Sequence, residues 1–234
     1  MKPRAIFKTS KVCGMTRFDE LFEVGREAIL SRTQECDKQP VDGGRWGIAV
    51  ILKPDTTLTH QLADLTKDAM RIAGRHHWPT GSPTAVHFTV RALEWFRTEV
   101  PEDDPSVARY TAALQRAAER AKPVALTVRG LTLSPSCIMA CAEPADGTAA
   151  DFAQALADEL GADGWLEADF HRSIWYSTLV HFAGPIDDPQ RLVTWITERR
   201  ETLIAQATFD TAQLIRYAFN GHHTELVTLA SVVL

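Results

Sequence analysis

Along the first 45 residues polar positions dominate, apart from one helical stretch over 17–32 in which Phe18, Leu21, Phe22, Ala28 and Ile29 can share a face. A loop follows over 37–44, marked by Pro40 and the pair Gly43-Gly44. From Arg45 the pattern becomes regular. The apolar run over 46–52, ended by Pro54, reads as a buried strand. Leu58, Leu62, Leu65, Ala69 and Ile72 recur at helical spacing and predict an amphipathic helix over 58–72. A loop containing His76 to Pro83 leads to a strand over 85–93 and a helix over 105–121. Two strands are then expected within 123–143, joined at Ser134-Pro135.

The second half restarts with a helix over 149–160, opened by Thr148, and a strand over 175–182. A helix over 189–201 takes Asp187 or Asp188 as its cap. The last two strands, Thr211–Phe219 and Thr224–Val233, are joined at Asn220-Gly221, a strong hairpin signal. Strands alternate with helices early and hairpins dominate later. The expected class is therefore α+β with mostly antiparallel sheets, rather than a doubly wound parallel sheet. Residues 1–44 are expected as a helical appendage that packs on, or partly covers, a body formed by 45–234, because no linker separates independent domains.

Composition narrows the setting. With 234 residues the chain can bury a proper core without staples. The basic stretch over 1–10 lacks the apolar run of a secretory signal, and no segment approaches the roughly 20 apolar residues of a membrane helix. Cys13, Cys36, Cys137 and Cys141 show no CxxC pairing and no zinc-finger spacing, so reduced, partly buried thiols and a cytoplasmic location are expected. The formal net charge of −5, with Lys and Arg scattered among acids, argues against a groove for long nucleic acid. A local basic pocket for a small anion remains compatible with it.

Two segments carry the candidate chemistry. In the strand over 85–93, period-two alternation sends His87, Thr89 and Arg91 to one side and Val86, Phe88 and Val90 to the other. In the strand over 175–182, Ser177 and His181 share a side. The two segments also match as text, Val86-His87-Phe88-Thr89 against Val180-His181-Phe182-Ala183, each set between two helices. Their separation is about half the length of 45–234. An internal duplication produces such an arrangement, bringing the two histidines together at a cleft about a pseudo-twofold axis.

From about Arg45 to the C-terminus the chain resembles the two-histidine (2H) phosphoesterase superfamily, which includes RNA-ligase-like proteins and cyclic nucleotide phosphodiesterases and carries a His-x-Thr/Ser motif in each lobe. His87-Phe88-Thr89 fits the first motif, whereas His181-Phe182-Ala183 keeps the histidine but lacks the hydroxyl. The resemblance implies two α+β lobes around a cleft, no cofactor and no metal. It also implies His87 and His181 as catalytic residues acting on 2′,3′-cyclic phosphates or related RNA ends.

Two imidazoles flanking a phosphate can remove a proton from water and return one to the leaving oxygen, because histidine titrates near neutral pH. Thr89 is placed to hydrogen-bond a non-bridging oxygen, and Ser177 is a candidate to replace the hydroxyl missing at Ala183. Arg91 is a candidate phosphate partner, with a rim salt bridge as the competing role. Tyr176, Trp46 and Trp175 can stack on a base, though core packing is the commoner fate of an aromatic. His76-His77 and His222-His223 are read as solvated loop or turn histidines, not metal ligands. The expected partner is a small phosphate ester or nucleotide, or a short RNA end. Ala183 keeps two alternatives in play: a nucleotide-binding protein that does not turn over, and a cleft turned to a phosphorylated or nucleoside-like metabolite.

Overall fold

The helices begin where side chains can cap them. Thr16 and Asp19 form a reciprocal capping box at the start of α1 (Arg17–Leu30), and Asp55 accepts from the Leu58 amide at the start of α2 (Thr56–Ala73). Asp104 caps α3 (Pro105–Ala118) and Asp188 caps α5 (Pro189–Thr197), each followed by a proline whose missing N–H costs nothing in the first turn. The remaining helix, α4, spans Thr148–Leu160 and runs into a 3-10 helix over Gly161–Glu167. These elements belong to a computed structural model that describes residues 16–168 and 174–234.

Eight strands complete the described chain: β1 (Ile48–Leu52), β2 (Phe88–Ala92), β3 (Val124–Leu133), β4 (Cys137–Pro144), β5 (Trp175–His181), β6 (Leu203–Phe209), β7 (Thr211–Phe219) and β8 (Thr224–Val233). They form two four-stranded antiparallel sheets, in the orders β2-β1-β7-β8 and β5-β4-β3-β6. The expected class, α+β with two similar lobes, is what the chain adopts. A strand–helix–strand unit recurs in each lobe, β1-α2-β2 and β4-α4-β5, and it leaves β2 and β5 at the same edge of their sheets.

The main core lies between sheets and helices and includes Leu52, Phe88, Leu114, Phe152, Phe182 and Phe209, all essentially inaccessible. Helix α1 is built into it through Phe22 and Ile29. Its Gly25 sits so close to Leu133 that a Cβ there would lie 2.8 Å from that backbone.

Three elements depart from the sequence expectation by more than two residues, and one strand is added to it. β2 starts at Phe88, paired with Leu52 at the end of β1, so His87 lies just before the strand. α3 stops at Ala118, short of residue 121. α5 stops at Thr197 because the chain turns back to β3, where the Gly130 amide donates to Thr202 O. Gly130 has φ 81° and a carbonyl (Arg200 O) where a Cβ would go, so only glycine fits. β6 is an addition to the expected elements: its alternation is carried by small and exposed residues, with Leu203 itself half exposed.

No helix among the described residues is long and apolar enough to cross a membrane. Cys36 is exposed, and Cys137 and Cys141 are buried free thiols, with burial pushing Cys137 up to about 11. Cys13 lies outside the described residues.

Candidate active site

A cleft of about 280 Å³ opens between the lobes, where β2 and β5 approach each other. His87, just before β2, and His181, at the end of β5, both line it.

Their surroundings differ. Nδ1 of His87 lies 2.7 Å from the carbonyl of Ala85, which can only accept, so Nδ1 carries the proton. Nε2 is then a lone pair, and the Tyr217 hydroxyl donates to it at 2.9 Å. Burial, with smaller contributions from nearby Lys53 and His181, pushes the His87 pKa down to about 4. At neutral pH this imidazole is uncharged. Lys53 secures the preceding loop: its ammonium reaches Val86 O at 3.0 Å, Thr84 O at 3.4 Å and Pro83 O at 3.5 Å.

His181 meets an anion instead. Its Nδ1 lies 2.7 Å from Oδ2 of Asp37, with both side chains about 10% exposed. The approach is off the N–H axis of the ring, so the pair is a close contact and not a linear hydrogen bond. Trp46 packs edge-on against the His181 ring at 5.4 Å and against Trp78 at 5.3 Å. Trp46 holds φ 65°, a left-handed conformation costly for a bulky residue. The Arg45 guanidinium stands 4.8 Å from the Trp46 ring at the cleft rim and 3.4 Å from Asp37.

Two β-bulges decide which neighbours face the cleft. In β2, Val50 pairs with Arg91 and Ile51 with Thr89, so Val90 is an extra residue. Thr89 and Ala92 line the cleft, while Val90 and Arg91 line an adjacent cavity. Arg91 does not share the His87 face as strict alternation predicts. It donates instead to Gly164 O and Glu167 O, at 2.9 Å each, and holds the 3-10 helix.

In β5, Val180 pairs with Ile138 and Thr178 with Met139, making Leu179 the extra residue. That slip reverses the faces. Tyr176 and Thr178 look into the cleft with His181, whereas Ser177 is fully buried in the core. Ser177 therefore cannot supply the hydroxyl missing at Ala183, and Thr178 occupies the cleft wall in its place.

Trp175 belongs to the core, and Trp46 and Tyr176 line the cleft. His77 is not a solvated loop histidine but 3% exposed, accepting from the Ala183 amide at Nδ1 (3.1 Å) and donating from Nε2 to Ala73 O (3.0 Å). His222 and His223 do sit in the exposed β7–β8 turn, organised by Asn220. Among the described residues no group of three or more His, Cys, Asp or Glu side chains is arranged to hold a metal ion. Asp37, Thr178 and Tyr217 belong to the site without a signal in the sequence. Asp37 and Tyr217 reach it only through tertiary contacts, and Thr178 only through a bulge.

Paired four-stranded antiparallel sheets, meeting near edge strands β2 and β5 with one histidine from each lobe at a common cleft, define a two-lobed fold that solved structures share. The chain is similar in structure to TT0787 of Thermus thermophilus, with a TM-score of 0.59 at 17% identity over 80% of this chain and 97% of that one. It is similar to E. coli LigT complexed with 3′-AMP, with a TM-score of 0.55 at 13% identity over 81% and 98%. A structure described as a phosphoesterase gives a TM-score of 0.51 at 13% identity over 81% and 98%. No family model and no curated protein matches the sequence. At these identities the shared property is the fold, and the resemblance read from the two histidine motifs holds at that level.

Proposed function

We propose that the protein is a metal-independent phosphodiesterase that opens a cyclic phosphate on a small nucleotide or RNA end by acid–base catalysis from His87 and His181. The observation that carries this reading is the complementary state of the two imidazoles in one cleft: His87 is neutral with its Nε2 lone pair inward, and His181 is backed by a carboxylate.

In the forward step the attacking water takes the place of the Tyr217 hydroxyl at Nε2 of His87, and Nε2 takes a proton from that water as its oxygen bonds to phosphorus. The P–O bond to the ribose breaks on the opposite side, and the departing oxygen takes the Nε2 proton of a His181 ring that enters the step protonated on both nitrogens and leaves it neutral. Each transfer contributes about 10²- to 10⁴-fold. Thr89 and Thr178, one from each lobe, face the cleft and donate to the non-bridging oxygens as charge gathers there. Arg45 supplies the positive charge at the rim, and Trp46 and Tyr176 offer flat faces to a base. The LigT complex with 3′-AMP, on the same fold, supports a nucleotide monophosphate as the kind of product such a cleft accommodates.

The missing hydroxyl at Ala183 favours a second reading, a nucleotide-binding cleft without turnover. The Ala183 amide is committed to His77 and offers no substitute donor. Incubation with nucleoside 2′,3′-cyclic monophosphates in EDTA, with products separated as 2′- and 3′-monophosphates, distinguishes the two. A single monophosphate isomer formed at a rate proportional to enzyme supports the phosphodiesterase. Binding of the same nucleotides with no product overturns it in favour of the second reading.

A further inference from the structure

We propose that Asp37 is a positioning residue for His181, and that the segment carrying it between α1 and β1 is therefore part of the active site. The inference rests on the reading of His181 as the proton donor and goes beyond it by naming what makes that histidine the donor.

The carboxylate is fixed from several directions. The Asp37 amide donates to Phe182 O at 2.7 Å, the residue next to His181, and two residues earlier the Glu35 amide donates to Pro135 O at 2.8 Å. These bonds lay the segment along the end of β5 and the β3–β4 turn. Upstream, α1 is anchored by Phe22 and Ile29 in the core and by Thr132 Oγ1 donating to Phe18 O at 2.9 Å. Downstream, the chain crosses to the other lobe, where Gly43 and Phe96 exchange amide bonds (Gly43 N to Phe96 O and Phe96 N to Gly44 O, 2.9 Å each) and Asp42 accepts from Thr98. Arg45 Nη1 stands 3.4 Å from Oδ1, leaving Oδ2 for His181. The segment is thus tied to both lobes, with its acid held against the histidine of one.

A carboxylate behind Nδ1 does two things. By its position 2.7 Å from Nδ1 it favours a proton on that nitrogen over one on Nε2, and it fixes the ring so that Nε2 is the atom presented to the cleft. His87 has the opposite backing, a neutral carbonyl with a lysine nearby. A pseudo-twofold pair of histidines therefore becomes a directional pair, base in the first lobe and acid in the second. The solved structures of this fold span about four-fifths of the chain, so roughly a fifth lies outside the shared architecture.

The test pairs Asp37→Asn and Asp37→Glu with two substrates: a nucleoside 2′,3′-cyclic monophosphate, whose leaving alkoxide needs a proton, and a nucleotide p-nitrophenyl ester, whose leaving group does not. Asp37→Asn should lower kcat on the cyclic substrate about 10- to 100-fold with KM unchanged. On the aryl ester it should change kcat less than about threefold, and Asp37→Glu should recover part of the loss. Equal losses on both substrates, or none on either, would overturn the assignment. ¹⁵N spectra of His181 read the tautomer without turnover: Nδ1–H in the wild type, shifted towards Nε2–H in Asp37→Asn. An unchanged tautomer contradicts positioning by Asp37 even in a protein that binds nucleotide without cleaving it. Absence of wild-type turnover on both substrates removes the phosphodiesterase reading instead, and with it the donor role.

Discussion

Tyr217 on β7 donates its hydroxyl to Nε2 of His87 at 2.9 Å, although the two residues come from distant parts of the chain. With Ala85 O accepting from Nδ1, both ring nitrogens have an assigned role, and only the neutral Nδ1–H tautomer satisfies both. The arrangement predicts that His87 stays uncharged as pH is lowered from about 8 to about 5, consistent with a pKa held down at about 4. A ¹⁵N NMR titration reads this directly. A midpoint near the ordinary 6.5, or an Nε2–H tautomer, would contradict it. The acid limb of kcat/KM should correspondingly lie near pH 4, since the base is competent wherever it is unprotonated.

His77 gives the fold its own acid sensitivity. Desolvation lowers its pKa to about 4, and protonation at Nδ1 would set a proton against the Ala183 N–H. Because the folded pKa lies below the unfolded value, the unfolded chain takes up the proton first as pH falls. Stability is then full above about pH 6.5 and declines between there and pH 4, by at most about 3 kcal/mol from this residue. Chemical denaturation at about pH 7.5 and about pH 5 should show a smaller drop in His77→Gln than in wild type. Equal drops in the two proteins would assign the acid loss elsewhere.

The bulges set up a comparison within β5. Thr178 faces the cleft and Ser177 faces the core, where its hydroxyl has no hydrogen-bond partner among the described residues. Thr178→Val should reduce kcat about ten- to a hundredfold through loss of a donor to developing charge, with little change in Tm. Ser177→Ala should leave kcat unchanged and leave stability unchanged or raised by roughly 1 kcal/mol. The reverse pattern would mean that alternation, not the bulge, governs this strand.

Arg91 offers the matching comparison in β2. Its guanidinium holds the carbonyls of Gly164 and Glu167, and its Nε is buried without a partner among the described residues. Arg91→Ala should lower Tm and leave the affinity for a competing nucleotide monophosphate within about twofold, as expected for an arginine acting through packing. A tenfold weaker affinity at unchanged Tm would restore Arg91 as a phosphate contact.

Much of this was legible in the sequence because period two and helical spacing survive folding unaltered. The matching histidine segments, the helices and the Asn220-Gly221 hairpin are local patterns. What escaped was set by partners. A bulge is decided by the neighbouring strand, so nothing in the text of residues 86–92 or 175–182 showed that Arg91 and Ser177 would turn away. Asp37 lies in a polar loop whose composition resembles any other, and its role exists only where that loop crosses the end of β5. β6 was hidden because small residues carry its alternation.

The most direct test of the central claim is the initial rate of hydrolysis of the four nucleoside 2′,3′-cyclic monophosphates in EDTA by wild type, His87→Ala and His181→Ala, with Tm measured on each protein. The account predicts turnover of at least one nucleotide by wild type and a loss of about 10²- to 10⁴-fold in each variant at nearly unchanged Tm. Turnover retained within tenfold in either variant would contradict it, because the cleft would then be working without one of its two proton carriers.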